Sequence, residues 1–179
     1  MRAFGAVFAC LLTTASLAAP AWAQKEKREP LASDQQEQIA EAGIDPVARV
    51  DLYVKFLDER ADTLRGLIRR AKSPARSRRV DDELQDFTAL MDELGDNLDV
   101  YSQRNADLRK SLKGLNGGVQ RWQSVLHDYV SEPVFELSLK EALDSSNELA
   151  GQAKQIAADQ EAYFKAHPDE KGQDRAEPK

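Results

Sequence analysis

Apolar residues recur along this chain with the spacing of helices rather than strands. Val47, Val50, Val54, Leu57, Ala61, Leu64, Ile68 and Ala71 follow one another at alternating steps of three and four, a heptad seam. A second seam begins after Pro74 and holds Val80, Leu84, Phe87, Met91, Leu94, Leu98, Tyr101, Asn105, Leu108, Leu112 and Leu115. Its phase continues through Val119, Trp122, Leu126 and Tyr129. A third seam carries Leu139, Ala142, Ser146, Leu149, Ala153, Ile156, Gln160 and Tyr163, broadened by Leu143, Ala150, Ala157 and Phe164. No stretch alternates over strand length. The pattern predicts an all-α fold of elongated antiparallel helical hairpins, a coiled-coil-like bundle with a long central helix.

Capping residues set the boundaries. Ser33 with Gln36 reads as a capping box and Gly43 as a stop, giving a short helix from about Asp34 to Ala42. Asp45-Pro46 starts the first long helix, and Lys72-Ser73-Pro74 ends it. Residues 131–137 read as a connector, and Ser138 with Glu141 as a further capping box. The chain is therefore expected to divide into a signal peptide (1–23), a polar N-terminal segment with a short helix (24–44), a helical bundle domain (45–166) and a disordered polar tail (167–179).

Two places in the second seam resist the pattern. Gly114, Gly117 and Gly118 each weaken a helix by about 1 kcal/mol relative to alanine. The chain either reverses there, giving four long helices, or continues as one helix of about 80 Å. Preserved heptad phase favours the continuous helix, because a reversing loop does not require it. The second oddity is Asn105, a polar amide in an apolar stripe. Folding the last helix back about a connector near residue 134 brings Asn105 to within about a turn of Gln160. An Asn105–Gln160 pair would fix the register between two helices otherwise free to slide by a heptad; a ligand-holding polar site is the alternative. A rod two helices thick leaves Tyr53, Phe56, Leu67, Leu143 and Phe164 uncovered, so self-association, or a break at the glycines, is expected.

Composition changes the picture at the N-terminus. Arg2, an apolar run, and Ala21-Trp22-Ala23 ahead of "QKEKRE" have the layout of a cleavable signal peptide. The run is short for a spanning helix and is interrupted by Thr13, Thr14 and Ser16, so no transmembrane helix is expected after processing. Cleavage after Ala23 places the protein in the periplasm or outside the cell. It also removes Cys10, the only cysteine, and with it any disulfide or thiol chemistry. A formal net charge of −6, with both signs interspersed, argues against nucleic acid as a partner.

The strongest local feature is "RRAKSPARSRR". Arg69, Arg70, Lys72, Arg76, Arg78 and Arg79 fall within eleven residues that contain no acid. A solvated turn accounts for some of this, since cations suit a helix C-terminus. A positive hairpin tip is also a site for phosphate, an acidic glycan or anionic lipid headgroups. Asp82, Asp86, Asp92, Glu93, Asp96 and Asp99 read as a solvated face, with no calcium-type glycine loop and no neighbouring histidine. His127 and His167 lack the Glu-x-x-His spacing of di-iron bundles, and no nucleophile elbow, zincin motif or phosphate loop is present. No metal, cofactor or enzymatic activity is expected.

"VDLYVKFLDERADTLRGLI", "LMDELGDNLDVYSQRNADLRKSL" and "KEALDSSNELAGQAKQ" resemble small exported all-helical proteins of soil bacteria that carry no assigned activity. The resemblance covers most of the mature chain and implies an exported helical protein. The expected function is a non-catalytic structural or protein-interaction module of the cell envelope, acting on itself or on another envelope protein. The alternative is a binding module for an anionic envelope ligand, acting through residues 69–79.

Overall fold

A computed structural model describes residues 29–170. The expected signal peptide, its cleavage site, residues 24–28 and the end of the polar tail lie outside the described residues. Among the described residues there are five α-helices: α1 (Ser33–Glu41), α2 (Pro46–Ile68), α3 (Pro74–Gln103), α4 (Arg109–His127) and α5 (Glu136–Ala166), followed by a 3-10 turn at Pro168–Glu170. The fold is all-α, as the periodicity predicts.

Local chemistry starts the helices. Asp45 accepts hydrogen bonds from the Val47 and Ala48 amides at 2.9 and 3.2 Å, with Pro46 in the first turn of α2. Ser73 accepts from the Arg76 amide at 3.2 Å ahead of Pro74. Two expected capping boxes are replaced. At α1, Gln35 reaches back to the Ala32 amide at 3.1 Å. α5 begins at Glu136, ahead of Ser138, whose hydroxyl donates to Asp81 at 2.6 Å. A tertiary partner has taken the side chain that local sequence assigns to a cap.

The four long helices form a bundle. α2 packs against α3 and α4, and α5 packs against α3 and α4, leaving α2/α5 and α3/α4 on the diagonals. Contacts between Ser111 and Val47, then Tyr129 and Leu64, show α2 and α4 running parallel. α2/α3 and α4/α5 are antiparallel hairpins, joined by a crossing of the diagonal at residues 104–108. The core fills the axis with Leu57, Leu84, Phe87, Leu94, Leu115 and Trp122 among its fully buried members. Phe87 and Trp122 meet edge to face across the diagonal, with centroids 6.1 Å apart.

That crossing corrects the expectation of one continuous middle helix from Val80 through the glycines to Tyr129. The chain breaks at Asn105, not at the glycines. Asn105 has φ of 54°, in the left-handed region. Its amide donates to the Ser102 carbonyl at 3.0 Å, and the Ala106 amide donates to the Tyr101 carbonyl at 3.1 Å. This pair of bonds is the Schellman ending of a helix, and asparagine is the residue other than glycine best suited to its left-handed position. Asn105→Ala is expected to cost about 1–2 kcal/mol in urea unfolding and Asn105→Gly to be near neutral. Equal effects would remove the backbone explanation.

Leu108 keeps the heptad phase across the break and is buried at the end of the bundle, where Ala106, one position off that phase, is also buried. α4 then passes unbroken through Gly114, Gly117 and Gly118. The flank expected to drive self-association is covered within the four-helix bundle: Tyr53, Phe56, Leu67 and Phe164 are buried within one chain, and Leu143 packs against the same core. The structural premise for self-association is thereby removed.

Candidate functional site

The basic tip sits where α2 ends, α3 begins and the α4–α5 connector passes. Its six cations divide into two groups. Arg76 is only 8% exposed; its Nε donates to the Leu67 carbonyl at 2.9 Å and its guanidinium meets Glu132 at 3.1 Å. Lys72 lies 3.5 Å from the same carboxylate. The Ser77 hydroxyl donates to the other Glu132 oxygen at 2.6 Å. Arg76 and Lys72 therefore join the tip to the connector. Arg69, Arg70, Arg78 and Arg79 are exposed and have no ion-pair partner among the described residues. The structure brings all six to one end of the bundle, buries only Arg76, and leaves Arg69, Arg70, Arg78 and Arg79 exposed without the carboxylate that pairs with Lys72.

Glu132 is the residue that sequence reasoning missed. The signal was present but weak: an acid in the connector, opposite a tip that has none. The Ser77 hydrogen bond, then Lys72 and Arg76, hold its carboxyl below the ordinary carboxylate range against the opposing effect of partial burial. A depressed carboxyl pKa contributes stability that is present above the unfolded-state pKa and is lost as pH falls through the folded-state pKa. Glu132→Gln is therefore expected to be less stable than the parent at neutral pH, with the difference shrinking under acid. A gap between the two unfolding curves that stays constant as the pH is lowered would contradict this.

Beneath the connector, Tyr129 donates to the Leu64 carbonyl at 2.6 Å, and burial pushes its pKa up to about 12. Phe135 packs edge-on against it at 5.9 Å.

The two register residues end up in different roles at the opposite end of the bundle. Gln160 is buried; its Nε2 donates to the Ala106 carbonyl at 2.6 Å and its Oε1 accepts from the Leu108 amide at 2.9 Å. Its partners are loop backbone rather than the expected amide of Asn105, whose own role is the left-handed helix ending. Beside this loop lies an open cleft of about 940 Å³ lined by Val47, Ala106, Lys110, Lys113 and Glu161, among others. Several of its charged groups are already engaged. Arg109 grips Asp107 at 2.6 Å and lies 4.6 Å over the Phe164 ring, while Asp45 caps α2.

The acidic side of α3 forms a second groove, of about 450 Å³, against α5. There Asp92 accepts from Ser145 at 2.5 Å and Asp99 from Gln152 at 2.6 Å, so part of the acidic face fastens helices together. Asp58 similarly receives Trp122 Nε1–H at 2.8 Å and Arg121 at 2.7 Å. Among the described residues no group of three or more His, Cys, Asp or Glu is placed to hold a metal ion, and no helix is long and apolar enough to cross a membrane.

Fold and surface together define a four-helix bundle with two antiparallel hairpins and one basic end. No protein-family model, curated protein or solved structure matches the chain.

Proposed function

We propose that this protein is a non-catalytic binding module of the cell envelope, and that its contact surface is the basic end of the bundle, which takes an anionic ligand. The observation that carries this reading is the division of the tip. One carboxylate, Glu132, engages Arg76 and Lys72, while Arg69, Arg70, Arg78 and Arg79 stay exposed without an ion-pair partner among the described residues. Guanidinium groups suit bidentate contact with phosphate, sulfate or carboxylate. Support for a binding rather than a catalytic role comes from the polar clusters, whose members mainly brace helices against one another. Export rests on the signal-peptide layout of residues 1–23.

Replacing Arg69, Arg70, Arg78 and Arg79 together with alanine is expected to abolish salt-sensitive retention on heparin while leaving the circular dichroism spectrum and melting temperature near those of the parent. Arg76→Ala is expected to behave differently and lower stability, because its guanidinium carries buried contacts. A parent protein that passes heparin unretained at low salt, or a quadruple variant that elutes with the parent, would end the proposal.

A further inference from the structure

The basic end carries a second kind of surface that the anion-binding reading does not use. Five large apolar residues are exposed among the described ones, and three of them, Val130, Val134 and Leu137, fall within eight residues spanning the connector and the first turn of α5. They are 73%, 52% and 67% exposed. Single exposed valines are ordinary, but a group at one end of a bundle beside arginines with no ion-pair partner among the described residues is not.

The connector and the first turn of α5 are held in this orientation at four points. Tyr129 is bonded to the Leu64 carbonyl, Glu132 to Arg76 and Ser77, and Ser138 to Asp81, while Phe135 is fully buried. Residues 129, 132, 135 and 138 thus face inward at every third position. Val130, Val134 and Leu137, between them, face out. Glu132 also ties this surface to the α2–α3 tip, so the apolar residues and the arginines are presented together.

We infer that this end docks on the surface of an anionic phospholipid bilayer: Val130, Val134 and Leu137 enter the headgroup boundary, while Arg69, Arg70, Arg78 and Arg79 meet the lipid phosphates. The inference rests on the anion-binding reading and names its partner. Charge complementarity selects an anionic surface, and the apolar group selects a lipid one, because a soluble polyanion offers nothing to cover it. The exposed acids Asp82, Asp128 and Glu136 belong to the same end of the bundle, where Arg69, Arg70, Arg78, Arg79 and Lys140 are also exposed.

The test uses the exported protein, its N-terminus established by mass spectrometry, with vesicles of phosphatidylglycerol mixed into phosphatidylcholine and with phosphatidylcholine alone. The parent should bind only the anionic vesicles. The triple variant Val130→Ser, Val134→Ser, Leu137→Ser should lose about tenfold or more in vesicle partitioning yet elute from heparin with the parent. The quadruple arginine variant should lose both. A fluorophore on Val134→Cys should shift to the blue with anionic vesicles and not with heparin.

Vesicle binding unaffected by the serine substitutions, or a label that does not shift, overturns the lipid inference. If heparin retention persists in that case, the anion-binding function stands and the ligand is a soluble or protein-borne polyanion. Loss of heparin retention in the parent overturns both.

Discussion

Trp122→Ala is expected to lower the free energy of unfolding by about 3–5 kcal/mol, the range for removing a large buried aromatic side chain. Trp122 is fully buried, meets Phe87 across the bundle diagonal at 6.1 Å, and donates its indole N–H to Asp58 at 2.8 Å. Its loss opens a cavity where α3 and α4 face each other and leaves Asp58 with Arg121. The same ring explains a glycine. A Cβ at Gly118 would lie 2.7 Å from Trp122 Cζ2, with two further ring atoms at 3.2 Å. Gly118→Ala is therefore expected to cost about 1–3 kcal/mol in the parent, because the buried indole has nowhere to move. In a Trp122→Ala background the clash is absent and the helix propensity of alanine should return up to about 1 kcal/mol, so the sign of the Gly118 effect should reverse. Urea unfolding of the four proteins of this double-mutant cycle measures the coupling. An equal cost of Gly118→Ala in both backgrounds would refute the contact.

Gln160→Leu is expected to cost about 2–5 kcal/mol although leucine is apolar and of comparable volume, because two buried backbone groups lose their partners at once. One carboxamide accepts from the Leu108 amide and donates to the Ala106 carbonyl. Both groups belong to the five-residue crossing that makes α4 a neighbour of α2. Gln160→Glu preserves the acceptor for Leu108 but sets a carboxylate against the Ala106 carbonyl, so it should fall between parent and leucine variant and recover under acid. Amide hydrogen exchange gives the local readout: the Leu108 amide should lose protection in Gln160→Leu beyond the global change. Unaltered relative protection at Leu108 would show that the loop holds itself.

The sequence by itself determined the helical class, the starts of α2 and α3 and most of the core, but not the break between α3 and α4. Helical periodicity is a property of neighbouring residues, and so are the caps at Asp45 and Ser73, whose side chains bond amides two or three positions away. The apolar character of Leu84, Phe87, Leu94 and Trp122 dictated burial whatever lay opposite. Tertiary structure alone decided what covers what. Asn105 sits in heptad phase, and only its backbone angle, set where the chain crosses the diagonal, distinguishes a helix ending from a buried polar pair. Ser138 has the spacing of a cap but bonds Asp81 on another helix. Glu132 and Arg76 are far apart in sequence, so their pairing follows from helix docking and from no local pattern. The same holds for the candidate surface. The run of arginines was legible at once, but which of them stay open depends on one acid delivered by the connector. The outward set of Val130, Val134 and Leu137 depends on the contacts that turn Tyr129, Glu132, Phe135 and Ser138 inward. Propensity and capping act within a few residues, whereas partner choice and exposure are settled by the packing of the whole bundle.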